Sequence, residues 1–210
     1  MEYERFRDAV CQLPAFNLRD AVTLSGQNTR SISVHLNRWV SAGRLERLRR
    51  GLYTLNRDDR QAPLAKAYLA SLLVEPSYLS GVWLLSQLSV IPEAAFTITS
   101  ATRGRQVRFE NSYGHFAYYR LPEKAWFGFS SKEIEGYYAL YASPEKALLD
   151  SIYWSGETWD EKRFQQERLD ASRLKTHRLE RYAARWGIPK LRFSVDGFIR
   201  YQEEAACPTW

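Results

Sequence analysis

Gln27-Asn28-Thr29-Arg30-Ser31-Ile32-Ser33-Val34-His35-Leu36-Asn37-Arg38-Trp39-Val40-Ser41-Ala42-Gly43, continued by Arg44-Leu45-Glu46-Arg47-Leu48-Arg49-Arg50-Gly51-Leu52-Tyr53-Thr54-Leu55, decides the fold. Ile32, Leu36, Trp39 and Val40 recur at i, i+4, i+7 and i+8, the spacing of one buried helical stripe. That spacing predicts a helix from Asn28 or Thr29 to about Ala42, with Gly43 as its stop. The residues after Gly43 read as two short strands around a tight Arg50-Gly51 turn. Leu45 and Leu48 lie three apart and would point to opposite faces of a regular strand, so the pairing should be short or bulged.

Upstream, Phe6, Val10 and Leu13 form an apolar stripe on a short helix that Pro14 ends. Asn17 is a good N-cap for a second helix over Leu18 to Leu24, and Ser25-Gly26 breaks the chain before the third. Helix, helix, glycine turn, helix and hairpin is the order of a winged helix-turn-helix. In that arrangement the third helix enters a major groove and the hairpin touches the flanking backbone.

The face of the third helix opposite Leu36 carries Arg30, Ser31, Val34, Arg38 and Ser41, with Asn37 and His35 at its flanks and Gln27-Asn28-Thr29-Arg30 at its start. Arg reads guanine, and Asn or Gln reads adenine, through paired hydrogen bonds to base edges. Arg44, Arg47, Arg49 and Arg50 of the hairpin suit phosphates instead. Residues 1–60 hold eleven arginines, no lysine and seven acids, so most of the net charge of +6 sits in that segment. Localised arginine charge of this kind points to double-stranded DNA.

Asn56 to Pro63 is polar, charged and proline-terminated, which divides the chain into domains at 1–58 and 62–210. Beyond it, helical spacing runs from Leu64 to about Val74. A helix follows Ser80, read as an N-cap, and buries Trp83, Leu84 and Leu88. Strands are expected at Phe96–Ser100, Gln106–Phe109, His115–Leu121 and Tyr137–Tyr141. Ser143-Pro144-Glu145 opens a further helix with a serine cap, proline at the first position and an early acid. Leu174–Trp186 and Phe198–Ala206 read as the last helices. The fold class is α+β: the winged helix, then a mixed domain with a small antiparallel sheet.

The 210 residues are 45% hydrophobic and 26% charged, which excludes a mostly disordered chain. No apolar window reaches membrane-span length, and the charged Met1–Asp8 does not look like a signal peptide. Cys11 and Cys207 are too few and too far apart for a disulfide framework, which is what a cytoplasmic protein would show. Neither G-x-x-x-x-G-K-[ST] nor G-x-G-x-x-G occurs. His35, His115 and His177 have no neighbour at metal-ligand spacing, so no metal or cofactor is expected. Tyr113, Phe116, Tyr118, Tyr119, Trp126, Phe127 and Phe129 could stack single-stranded bases, but they fit sheet core better. Glu145, Lys146 and Asp150 admit an enzymatic reading, against which stands a helix cap with a surface ion pair. A catalytic role has no positive support.

Arg49-Arg50-Gly51-Leu52-Tyr53, Pro76-Ser77-Tyr78-Leu79-Ser80, Ile91-Pro92-Glu93 and Ser143-Pro144-Glu145-Lys146-Ala147-Leu148-Leu149-Asp150, in that order, resemble the AbiEi family of antitoxins. The resemblance runs from about residue 5 to 190, and its last motif is the most specific. It marks Tyr78, Ser80, Pro92, Glu93, Pro144, Glu145, Lys146 and Asp150 in the second domain. It implies a winged helix that represses its own operon at inverted repeats, and a C-terminal domain that counters a nucleotidyltransferase-type toxin. It implies no enzyme activity, and a link to phage defence in bacteria. Direct toxin binding is left open. The alternative is a stand-alone regulator whose second domain senses a ligand or a protein.

Overall fold

The computed structural model describes residues 1–206, so Cys207 lies outside the described residues. The first unit is α1 (Tyr3–Val10), β1 (Phe16–Asn17), α2 (Leu18–Ser25), α3 (Thr29–Ser41), β2 (Leu45–Arg49) and β3 (Leu52–Leu55). Asn17 caps α2 in a reciprocal box with Asp20, and Gly26 ends it at φ +66. The Asn28 side chain accepts from the Ser31 amide to start α3. β3 pairs on one side with β2 and on the other with β1, a two-residue strand with no periodicity to betray it.

The awkward leucine parity has a physical resolution. The β2–β3 register shifts between Arg47 and Arg49, a bulge at the tip of the hairpin. Leu45 then packs with Phe6, Ile32, Leu36 and Trp39 inside the winged helix. Leu48, with Leu52, faces the other way into a cluster with Leu69, Ile98, Phe116 and Tyr118. The wing therefore serves two cores.

The second unit comprises α4 (Lys66–Leu73), β4 (Ser77–Leu79), α5 (Gly81–Gln87), β5 (Thr97–Thr102), β6 (Val107–Asn111), β7 (Gly114–Arg120), β8 (Phe129–Ile134), β9 (Tyr137–Ala142), α6 (Pro144–Ser155), α7 (Glu161–Gln166), α8 (Thr176–Trp186) and α9 (Pro189–Ala206). Its sheet is larger than the small antiparallel one expected. Six strands run in the order β6-β7-β5-β4-β9-β8, and the pairs β4–β9 and β5–β7 are parallel. β4 and β8 escaped the sequence reading. β4 is three residues buried throughout, and β8 is almost wholly exposed, so neither alternates.

One sheet face receives α4 and the wing, and the other packs with α5 and α6 around a core that includes Leu84, Leu148, Ile152 and Trp186. Asn111 Nδ2 donates to the Leu48 carbonyl at 3.2 Å, and Arg60 Nη1 to the Tyr113 hydroxyl at 2.9 Å. These polar bonds border the apolar junction between the units. No described helix is long and apolar enough to cross a membrane.

Candidate nucleic-acid interface

α3 turns Ile32, Leu36 and Trp39 inward and leaves Arg30, Val34, Asn37, Arg38 and Ser41 exposed. Val34 is 65% exposed, which is unusual for an apolar side chain at the centre of a helix face. Such a methyl-bearing side chain matches the thymine methyl in a major groove. Among the described residues Arg30 makes no ion pair or hydrogen bond, and no acid occurs between Asp20 and Glu46. The face is positively charged and internally unneutralised.

The remaining expected residues divide by what they already hold. Asn28 spends its side-chain oxygen on the helix cap. The Ser31 hydroxyl donates to Gln27 Oε1 at 3.0 Å, so this half-buried pair orders the helix entry. Thr29 opens the helix and is exposed. His35 stacks on Trp39 and lies 3.3 Å from Arg38 Nη2. Partial burial, the nearby N-terminal ammonium and Arg38 together lower its pKa.

The four hairpin arginines are not equivalent. Arg50, at the turn, is exposed, and among the described residues its side chain has no partner. Arg47 donates to Asn37 Oδ1 and lies 5.7 Å from the Tyr53 ring centre, which ties the hairpin to α3. Arg44 covers the Tyr3 ring at 4.6 Å and pairs with Glu4 at 3.4 Å. Arg49, expected with the others to suit a phosphate, is half-buried. Its Nη1 donates to the Arg50 carbonyl at 3.0 Å and its Nη2 to the Leu72 carbonyl, near the end of α4, at 3.5 Å. The bulge turns this side chain toward the second unit, where it meets a helix C-terminus rich in acceptors.

In the second unit the structure gathers four of the eight motif residues. The hydroxyls of Tyr78 and Ser80 donate to Asp150 Oδ2 at 3.0 and 2.6 Å, and Lys146 Nζ binds Asp150 Oδ1. Ser80 sits at the N-cap position of α5 as expected, but its hydroxyl caps nothing there. Lys146 and Asp150 are both 0% exposed, which corrects the expectation of a surface pair. They lie at i and i+4 on the inward face of α6, and Lys146 Nζ is ringed by Trp186, Phe127 and Tyr78 at 4.3, 5.4 and 5.5 Å. Burial pushes the Asp150 carboxyl up and the Lys146 ammonium down, each opposed by the other's charge.

Glu145 is likewise buried. Its carboxylate accepts from the Lys175 amide at 3.1 Å, before α8, and pairs with Arg178 at 3.4 Å. Pro144 opens α6, capped by Ser143. Pro92 and Glu93 are exposed and stand apart from this node, with Glu93 paired to Arg168. The buried node has the geometry of a clasp between β4, α5 and α6, with no solvent-facing nucleophile.

Five of the seven aromatic residues weighed as a stacking platform are spent on packing, as the sheet-core reading expects. Phe116, Tyr118 and Phe127 are buried, and Trp126 and Phe129 pack around Tyr78. Among the described residues no group of three His, Cys, Asp or Glu is placed to hold a metal ion.

No curated protein matches this chain. The family model described as a transcriptional regulator, AbiEi antitoxin, matches residues 12–56, from just after α1 through all of α3 and the hairpin. That span contains the exposed α3 face and all four hairpin arginines, and over it the chain is similar to AbiEi antitoxin transcriptional regulators.

Proposed function

We propose that this chain is a DNA-binding autorepressor and antitoxin, with residues 1–58 as the DNA-reading domain and 62–210 as the domain that counters a nucleotidyltransferase-type toxin. The observation that carries the DNA half is the α3 face: unpaired Arg30, exposed Val34 and Arg38, with no acid nearby. Arg30 and Arg38 read base edges in the major groove. Arg50 meets a phosphate of the flanking backbone, and the operator is an inverted repeat in the chain's own promoter. The toxin half rests on the family match and on the motif resemblance.

Gel-shift titration against the promoter and against random duplex tests the reading. Arg30→Ala or Arg38→Ala should each remove about 1–3 kcal/mol of preference for the promoter. Equal affinity of the unaltered chain for both duplexes would refute it. Rescue of growth on co-expression with a neighbouring nucleotidyltransferase frame tests the antitoxin half.

The wing supplies an independent check. Arg50→Ala should weaken binding to every sequence and reduce the slope of log affinity against log salt by about one. Arg49→Ala should change that slope less, because its guanidinium is engaged by the Leu72 carbonyl. A salt titration of the two variants side by side measures the difference.

A second reading, a regulator whose second domain senses a small molecule, is favoured by a cavity beside α6. Its lining includes Tyr119, Trp154 and Trp159.

A further inference from the structure

β6 and β7 are joined by Ser112 and Tyr113 alone, and this tight turn lies against the wing. Three consecutive residues there each reach across to a residue between 46 and 60. Asn111 Nδ2 donates to the Leu48 carbonyl at 3.2 Å, and Ser112 Oγ donates to the Glu46 carboxylate. The Tyr113 hydroxyl accepts from Arg60 Nη1 at 2.9 Å, and the same Nη1 lies 3.3 Å from Thr54 Oγ1. The turn thus straddles the hairpin, touching Glu46 and Leu48 of β2 directly and Thr54 of β3 through Arg60.

The bond from Asn111 falls at the weak point of the hairpin. Leu48 is the residue that the bulge leaves out of the β2–β3 pairing, with Arg47 opposite Tyr53 and Arg49 opposite Leu52. Lacking a ladder partner, its orientation is set by whatever else it touches. Asn111 is itself fixed, because its Oδ1 accepts from the Tyr113 amide at 2.9 Å and so aims Nδ2 in one direction. Burial of Leu48 and Leu52 holds the two units together but is non-directional. The hydrogen bonds supply the angle. Arg50 follows Leu48 by two residues, at most about 7 Å of chain.

We propose that the Asn111–Tyr113 turn positions the wing, with Asn111 and Ser112 acting on β2 around the bulge to hold Arg50 where it meets a DNA phosphate. The proposal rests on the DNA reading and gives residues of the second unit a part in it, separate from any toxin. Asn111 and Ser112 are positioning residues that themselves touch no nucleic acid.

The full chain carrying Asn111→Ala and Ser112→Ala tests this, since neither side chain belongs to an apolar core and neither change alters the net charge. In the free protein, amide hydrogen exchange at Arg49–Leu52 should quicken about tenfold, while Ile32–Trp39 of α3 keep the parent's rates. Ser112→Ala alone, at an exposed position, should move the wing amides in the same direction by a smaller factor. In gel-shift titration the double variant should bind promoter and random duplex about fivefold more weakly alike. Its slope of log affinity against log salt should fall by about one. Adding Arg50→Ala should then cost little beyond what Arg50→Ala costs alone, as expected of changes that remove the same contact. A purely structural role would lower the melting temperature and leave both the salt slope and the additivity with Arg50→Ala as they were. Parental exchange rates at Arg49–Leu52, or full additivity with Arg50→Ala, would overturn the proposal and leave the parent's promoter preference standing. A parent without promoter preference would refute the DNA reading instead, and the exchange rates would still decide whether the turn holds the wing.

Discussion

Replacing Asp150 by alanine is expected to destabilise the protein by about 3–5 kcal/mol, the cost of removing one member of a buried charge pair. The change strands Lys146, shut off from bulk solvent, in a ring of aromatic side chains without its anion. It also leaves the hydroxyls of Tyr78 and Ser80 without their acceptor. Attraction to the aromatic faces recovers only part of the lost pairing. Urea denaturation followed by circular dichroism measures the loss. Lys146→Met combined with Asp150→Asn should recover a substantial part, because both charges go while an amide oxygen remains for the two hydroxyls. A single Asp150→Ala variant as stable as the parent would show that the node is solvated and that its burial does not matter.

Phe6→Ala is expected to have an effect of the same size, about 3–5 kcal/mol, by a different cause. Phe6 is fully buried, stacked on Trp39 at 4.9 Å and set edge-on to Phe16 at 5.4 Å. The winged-helix core is small, and a cavity at its centre removes contacts from α1, α3 and β1 together. Folding stability of a domain is itself only about 5–15 kcal/mol, so the variant should unfold well below the parent's melting temperature. Because Leu48 and Leu52 share a cluster with Leu69, Ile98 and Phe116, unfolding of the two units should be coupled. Near-ultraviolet and far-ultraviolet signals are then expected to report one transition in urea. Two separated transitions would mean that the junction contributes little.

Most of the winged helix was legible because its signals are local. The Asn17 cap, the helix start at Asn28–Thr29, the Gly26 and Gly43 stops and the i, i+4, i+7 stripe of α3 each act within a turn or two, and each appears where expected. The odd spacing of Leu45 and Leu48 even announced the bulge. What the hairpin faces was not legible. Nothing within Arg49 and its neighbours says that its partner is the carbonyl of Leu72, twenty-three residues away.

The same limit explains the second unit. Sequence spacing put Lys146 and Asp150 on one side of a helix but could not say which side the protein would enclose. Two charges one turn apart ordinarily mark a solvated face. The missing information lies in Tyr78 and Ser80, some seventy residues upstream, which complete the acceptor's shell. A parallel β4–β9 pair is equally hidden, since its partners are far apart in the chain and β4 has only three residues.

The doubled role of the wing sets a constraint on inheritance. Leu48 and Leu52 are borrowed by the neighbouring unit, so a polypeptide ended after Asp58 would leave a greasy underside bare to water. Grafting a foreign reading head onto residues 62–210 would meet the same obstacle unless the graft brought matching leucines and the one-residue slip that aims them. Any replacement for residues 1–58 must therefore keep this hairpin irregularity along with the two leucines it orients.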